Sequence, residues 1–237
     1  VHVWRAGLEP APDVLRRLEA TLSDDERARA ARFVFPQHRV RYAAGRGILR
    51  ELLGRYLGRD PRSLRFRYTP HGKPELDEPV TPTSVRFNLS NCEAMALVAF
   101  VRGREVGVDV EELRPMPDGI AIAERFFSVP ENEVFRSLAA EVRDRAFFNC
   151  WTRKEAYIKA VGEGLSMPLD RFDVAFAPGE PAALLATRPD PAEVERWTLR
   201  EVDPGPGWIG ALMVEGRDWT VECWDWDAAA HRAPAFR

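Results

Sequence analysis

Two periodicities divide this chain. From Val40 to Leu57, apolar residues fall at Val40, Ala44, Ile48, Leu52 and Leu53, which is the spacing of one helix face, and Gly58 and Pro61 end the run. Residues 12–22 carry the same spacing over a shorter span. Ser23, followed at once by acids, reads as the cap of a second helix over 23–33. Leu64 to Tyr68 alternates as a short strand before the turn P-H-G-K-P. From Val85 the period drops to two. Residues 86–90, 94–101 and 106–111 read as strands, with Arg102-Gly103-Arg104 turning between the last two. Helical spacing returns over 120–125, 131–140 and 144–161, and Gly162 stops the last helix. Further strands are predicted over 171–177, 197–202, 208–214 and 219–224.

The order of elements repeats. A long helix followed by L-R-F-R-Y-T-P-H-G-K-P-E-L in the first half matches one followed by D-R-F-D-V-A-F-A-P-G-E-P-A-A-L in the second. Paired strands come next in both. The expectation is an α+β fold made of two similar halves related by a pseudo-twofold duplication, residues 1–108 and 109–237, with the active site in the cleft between them.

Composition narrows the class. The chain has 237 residues, 45% of them hydrophobic, and a formal net charge of −3, enough to bury a core and without the polybasic character of a nucleic-acid or membrane binder. Three widely spaced cysteines, Cys92, Cys150 and Cys223, fit neither a disulfide framework nor zinc spacing. The first residues lack a basic stretch leading into an apolar one, and no apolar run is long enough to span a bilayer. A soluble, cytoplasmic monomer is expected.

Several clusters carry candidate chemistry. Asp109 and Glu111 lie two apart in G-V-D-V-E, so alternation places both carboxylates on one side of a strand whose valines face the other way. Such a pair is either a solvated edge or two ligands for a hard cation. Glu155 and Lys159 lie four apart on one helix face, as a surface ion pair or as chemistry. Twelve arginines fall between Arg27 and Arg67; they solubilise helices or cradle phosphate. Arg67 and Lys73 flank a turn containing His71 and Gly72, where backbone N–H groups could face an anion. Ile120, Ile122, Phe126 and Phe127 beside Arg125 read as core before they read as a docking patch.

Together these segments resemble the Sfp-type 4′-phosphopantetheinyl transferases. The resemblance rests on R-F-V-F at 32–35, G-R-G-I-L-R at 45–50, H-G-K-P at 71–74, F-N-L-S at 87–90, G-V-D-V-E at 107–111, and W-T-R-K-E-A-Y-I-K at 151–159 followed by G-E-G-L. The last two are specific in combination, and the K-E-A form resembles the W/KEA subgroup. The resemblance implies transfer of 4′-phosphopantetheine from coenzyme A, as substrate, to a serine of an apo acyl or peptidyl carrier protein, with adenosine 3′,5′-bisphosphate leaving. It implies that Asp109, Glu111 and Glu155 hold Mg²⁺, with Mn²⁺ as an alternative, against the pyrophosphate. Asp109, Glu155 and Lys159 are the implied catalytic residues. Glu155 or a metal-bound water takes the serine proton, and Lys159 serves the leaving phosphate. Arg29, Arg67, His71, Gly72, Lys73, Asn88, Ser90, Asn91, Lys154 and Lys159 are the implied coenzyme A contacts. The family pattern F-N-x-S-H has Asn91 at its fifth place here. Asn still donates to phosphate, so coenzyme A should bind with less pH dependence from this position. The rival is a non-catalytic module that binds coenzyme A or carrier proteins, and nucleic-acid binding is a more distant one. Trp151 and Tyr157 are expected to pack.

Overall fold

The computed structural model describes residues 1–228 and 234–236, leaving aside the Leu165 side chain. Its elements run in two similar series, the second of which adds a short helix (Glu193–Arg196) between its third and fourth strands. The first opens with strand β1 (His2–Gly7), then helices α1 (Pro12–Glu19), α2 (Asp24–Ala30) and α3 (Pro36–Leu57), then strands β2 (Phe66–Tyr68), β3 (Pro74–Leu76), β4 (Val85–Cys92) and β5 (Met95–Arg102). The second opens with β6 (Val106–Glu112), then α4 (Gly119–Phe126), α5 (Val129–Ser137) and α6 (Ala140–Val161), then β7 (Phe172–Val174), β8 (Leu184–Thr187), β9 (Trp197–Val202) and β10 (Trp208–Glu215). Strand β11 (Glu222–Asp225) returns to the first half and pairs in parallel with β1.

One sheet runs β11-β1-β5-β4 and the other β6-β10-β9. Short ladders join β2 to β3 and β7 to β8. Three apolar clusters hold the layers. Trp4, Leu18, Ile48, Leu52 and Phe100 seal α1 and α3 against the first sheet. Phe147, Tyr157, Leu199, Ala211 and Met213 seal α6 against the second. Val3, Leu97, Ala99, Val106, Val108, Val110 and Leu212 lie between the two sheets. The valines of β6 thus face the first sheet, as their alternation predicts. The boundary expected between 108 and 109 falls inside β6, which ladders as a whole with β10, from Val106 opposite Val214 to Glu112 opposite Trp208.

The long helices end alike, at Gly58 (φ 64°) and Gly162 (φ 85°), in the left-handed conformation that glycine adopts without strain. Each is anchored by a buried acid from the helix before it. Ser23 and Glu26 form a capping box, and Glu26 accepts from Arg46 at 2.5 Å and Arg50 at 2.6 Å. Ser128 and Glu131 form the second, and Glu131 pairs with Lys154 at 2.7 Å. Five buried charges, Glu26, Arg46, Arg50, Glu131 and Lys154, survive here because each is paired and hydrogen-bonded further. Arg50 donates to the carbonyls of Pro61 and Leu64, and Lys154 to those of Leu169 and Phe172.

Several boundaries differ from the sequence expectation. Pro36 occupies the first turn of α3, which therefore starts earlier than Val40. The second helix stops at Ala30. Strands β1, β3 and β8 were not foreseen: β1 gains its partners β5 and β11 from distant chain, whereas β3 and β8 are only three and four residues long and pair with the strand just before each. The H-G-K-P turn leads directly into β3. Phe127 is buried and Ile122 and Phe126 pack against the core, whereas Ile120 stays exposed. No helix among the described residues is long and apolar enough to cross a membrane.

Helix α6 comes very close to β6 at Gly107. A Cβ there would stand 2.1 Å from the Ala156 carbonyl oxygen and 2.4 Å from the Ala160 nitrogen. Both are backbone atoms of a helix and cannot swing aside. Gly107→Ala should cost roughly 3 kcal/mol of unfolding free energy; chemical denaturation that gives wild-type stability would refute this packing.

Candidate functional site

The face of β6 opposite its valines carries Gly107, Asp109 and Glu111, and this face receives α6. Ala156 and Ala160 keep the helix close, so Glu155 and Lys159 reach the strand's carboxylates. The edge strand β4 supplies the other wall. Alternation along β4 points Asn88, Ser90 and Cys92 toward β6. The Asn88 Oδ1 accepts the Val108 N–H at 2.9 Å. Ser90 Oγ donates to Asp109 Oδ1 at 2.7 Å. Cys92 Sγ donates to Glu111 at 3.3 Å.

Asp109 is only 3% exposed. Its Oδ1 also accepts from Lys159 Nζ at 2.6 Å, and Lys159 donates to Ser90 Oγ at 2.9 Å. Its Oδ2 is buried with no hydrogen-bond partner. A carboxylate oxygen left bare inside a protein is costly, and it marks a place where a cation or a donor belongs. Burial, opposed by Lys159 and reinforced by Asp109 and Glu111, pushes the Glu155 carboxyl up to about 6. Burial and then Asp109 raise the Glu111 carboxyl. Burial opposes the Lys159 charge, yet Asp109 together with Glu155 and Glu111 outweighs it and holds the ammonium above its ordinary range. Three acids that repel one another around a bare oxygen are the donor set a hard divalent cation uses. Among the described residues no three side chains of ligating type are closed into a ligand set. Glu111 turns instead toward Cys92 and toward Arg114 at 3.6 Å.

A cleft of about 430 Å³ opens over this cluster, lined by His71, Gly72, Asn88, Glu155, Lys159 and Gly164 among others. His71 lies against Gly164, whose φ is 56° and where a Cβ would approach to 3.2 Å of the His71 Cβ. Lys73 is half-buried, and its Nζ donates to the carbonyls of Val106 at 3.2 Å and Ala160 at 3.3 Å. It therefore stitches the β2–β3 hairpin to β6 and α6. Burial lowers its affinity for a proton, with Glu105 opposing.

Other expected contacts lie apart from the cluster. Arg29 is exposed and sits over the Tyr42 ring, 5.5 Å from its centroid. Arg67 pairs with Glu75 at 3.1 Å. Asn91 is exposed at the end of β4. Lys154 corrects the expectation that it touches coenzyme A: it is fully buried, with its ammonium spent on Glu131 and two carbonyls. Neighbours on a helix point about a hundred degrees apart, so Lys154 cannot share the face of Glu155. Trp151 packs on Phe126 and Phe147, and Tyr157 on Phe172 and Trp197. Sequence reasoning passed over Gly107, Cys92 and Arg114. Cys92 follows Ser90 by two in the strand, and Arg114 follows Glu111 by three, so the periodic signals were present.

Comparison with known proteins agrees over both halves. Two family models match: "4'-phosphopantetheinyl transferase, N-terminal" over residues 6–101, and "4'-phosphopantetheinyl transferase superfamily" over residues 105–211. The 4'-phosphopantetheinyl transferase HetI of Nostoc sp. is 43% identical over 224 residues, 94% of this chain and 91% of that protein. The 4'-phosphopantetheinyl transferase Sfp of Bacillus subtilis is 31% identical, over 80% of this chain and 81% of its own length. The 4'-phosphopantetheinyl transferase psf-1 of Bacillus pumilus is 32% identical, over 84% and 85%.

The raised Glu155 carboxyl has a consequence for stability. Between its ordinary value and about 6 the folded chain holds the proton more tightly than the unfolded chain does. Stability therefore falls as pH rises through that window. Glu155→Gln removes the buried negative charge. At pH 7.5 the variant should be more stable than wild type by roughly 1–2 kcal/mol, and the difference should vanish near pH 4. Urea titrations at both pH values test this; a variant less stable at pH 7.5 would contradict it.

Proposed function

The chain belongs to the 4′-phosphopantetheinyl transferase superfamily, and we propose how its own residues divide that reaction. The enzyme transfers 4′-phosphopantetheine from coenzyme A to an apo carrier protein. Within the family we assign it to the Sfp-like, W/KEA form, on Trp151 and the Lys154-Glu155-Ala156 run. The observation that carries the site assignment is the bare, buried Asp109 Oδ2 beside Glu155 and Lys159.

In this reading a carrier serine hydroxyl attacks the β-phosphate of coenzyme A, and the bond to the adenosine bisphosphate breaks. Asp109, Glu111 and Glu155 would hold Mg²⁺, or Mn²⁺ in its place. The cation would supply charge for the pyrophosphate as negative charge builds on the leaving group. Glu155 is also the carboxylate placed to accept the serine proton, since burial keeps it a stronger base than a surface glutamate. In the free protein Lys159 is held charged by Asp109, and it is placed to neutralise the leaving phosphate. His71, Gly72 and Asn88 line the cleft where the cofactor's phosphates would enter. Arg29, Arg67 and Asn91 would meet the adenosine bisphosphate from the rim, with Arg67 first giving up Glu75.

Duplication supports a site between halves. Ser23 and Glu26 pair with Ser128 and Glu131, Arg50 with Lys154, Glu51 with Glu155, Arg55 with Lys159, and Gly58 with Gly162, in identical order along matching helices. The strand orders β1-β5-β4 and β6-β10-β9 match as well. We set the boundary just before β6, with β11 belonging to the first half. We further propose that the enzyme acts as a cytoplasmic monomer, on its three free cysteines and self-contained site.

Mass spectrometry of an apo carrier protein incubated with coenzyme A and Mg²⁺ tests the reading. Wild type should add the phosphopantetheine mass. Asp109→Ala and Glu155→Ala should lose at least ~100-fold in rate while keeping the wild-type circular dichroism. Near-wild-type rates in both variants would defeat the site assignment. Coenzyme A binding without transfer to any of several carriers would favour a non-catalytic module.

A further inference from the structure

Lys159 and a cation would share one carboxylate, the lysine on Asp109 Oδ1 and the cation at the bare Oδ2. The Lys159 ammonium lies 2.6 Å from Asp109 Oδ1 and 2.9 Å from Ser90 Oγ, and Ser90 Oγ lies 2.7 Å from the same Oδ1. The three groups close a triangle. The outer side of the lysine is open, for its side chain is 28% exposed where Asp109 is 5% exposed. It sits in the last turn of α6, and its four-carbon stem lets the ammonium swing while the backbone stays fixed. The cleft above it is where an anion would arrive.

A divalent cation and an ammonium sharing one carboxylate in a half-buried site repel strongly, because the screening of bulk water is missing there. Moving Lys159 off Asp109 without another anion leaves a buried carboxylate and a lysine each short of a partner. A pyrophosphate in the cleft removes that cost by giving the ammonium a new counter-ion.

We infer that Lys159 gates the cation: its ammonium holds Asp109 until the pyrophosphate of coenzyme A draws it away, so that cation and coenzyme A each strengthen the binding of the other. The inference rests on the transferase reading and its cation, and adds the order imposed by this lysine. Ser90 then serves as the fixed hydroxyl against which both partners are positioned, which also accounts for its burial. Coupling of this kind is reciprocal by necessity: coenzyme A tightens the cation by the factor by which the cation tightens coenzyme A.

The test is a binding experiment rather than an assay of turnover. Mn²⁺ binding to the full chain is followed by electron paramagnetic resonance, and Mg²⁺ binding by calorimetry, with and without coenzyme A. Wild type should bind the cation at least about tenfold more tightly with coenzyme A present. In Lys159→Met the cation should bind the free protein at least about tenfold more tightly than it binds free wild type, and the effect of coenzyme A should shrink by a similar factor. Lys159→Gln, which keeps a donor for Ser90, should behave in the same way and serves if the methionine variant does not fold. Arg114→Gln is the control, since Arg114 faces Glu111 from an exposed position. A gain there equal to that of Lys159→Met would assign the effect to general charge and overturn the gate. Cation binding that neither Lys159 variant alters would overturn it too, leaving the transferase reading in place. No cation binding by any of these proteins, with or without coenzyme A, would overturn the gate together with the cation reading.

Discussion

The contact of α6 with β6 at Gly107 is the constraint on which the rest of the site depends. Helix and strand meet backbone to backbone, with only Ala156 and Ala160 on the helix side and no side chain on the strand side. At that separation, the residues just before Ala156 and Ala160 on the helix face those two and four beyond Gly107 on the strand. Lys159 reaches Asp109, and Glu155 comes close enough to feel both strand acids. A larger side chain at Gly107 would push the helix outward and weaken every one of these contacts together.

What fixes the helix in rotation is the opposite face. Lys154 is buried and tied to Glu131 and to two carbonyls, so α6 cannot turn about its axis without breaking a buried ion pair. Removing one member of such a pair typically costs about 3–5 kcal/mol, although the pair as a whole adds little net stability. Its value here is orientation. The first half uses the same device, with Glu26 against Arg46 and Arg50. Yet that half has Arg5 on β1 facing Asp225, and Glu51 beside Arg17 and Arg55. There each charge has an opposite charge on the protein itself, although Arg55 Nη1 is buried without a hydrogen-bond partner. In the second half the acids outnumber their partners, and one oxygen is left bare. The first half thus pairs these charges with one another, whereas the second leaves a carboxylate oxygen open.

Much of this was legible in the chain. The switch from a helical to a two-residue period marked the long helices and the central strands, and Asp109, Glu111, Glu155 and Lys159 stood out because alternation and four-residue spacing each place two groups on one face. Strand β1 was not legible because its partners β5 and β11 lie far along the chain, and β3 and β8 were not because three or four residues are too few to show a period. Helix starts were misplaced where a proline opened the first turn.

The sequence by itself determined which residue types share a face, where the long helices stop, and, through the spacing of G-V-D-V-E and W-T-R-K-E-A-Y-I-K, the family. Only the tertiary structure decided what each charge does. Lys154 and Lys159 are both lysines of one motif, yet one is consumed inside the protein and the other faces the cleft. Lys73 holds a hairpin in place, and Ser90 meets Asp109. The reason is physical: periodicity specifies direction from a single element, whereas a charge takes its role from its partners and its burial, and these are set by segments far apart in the chain.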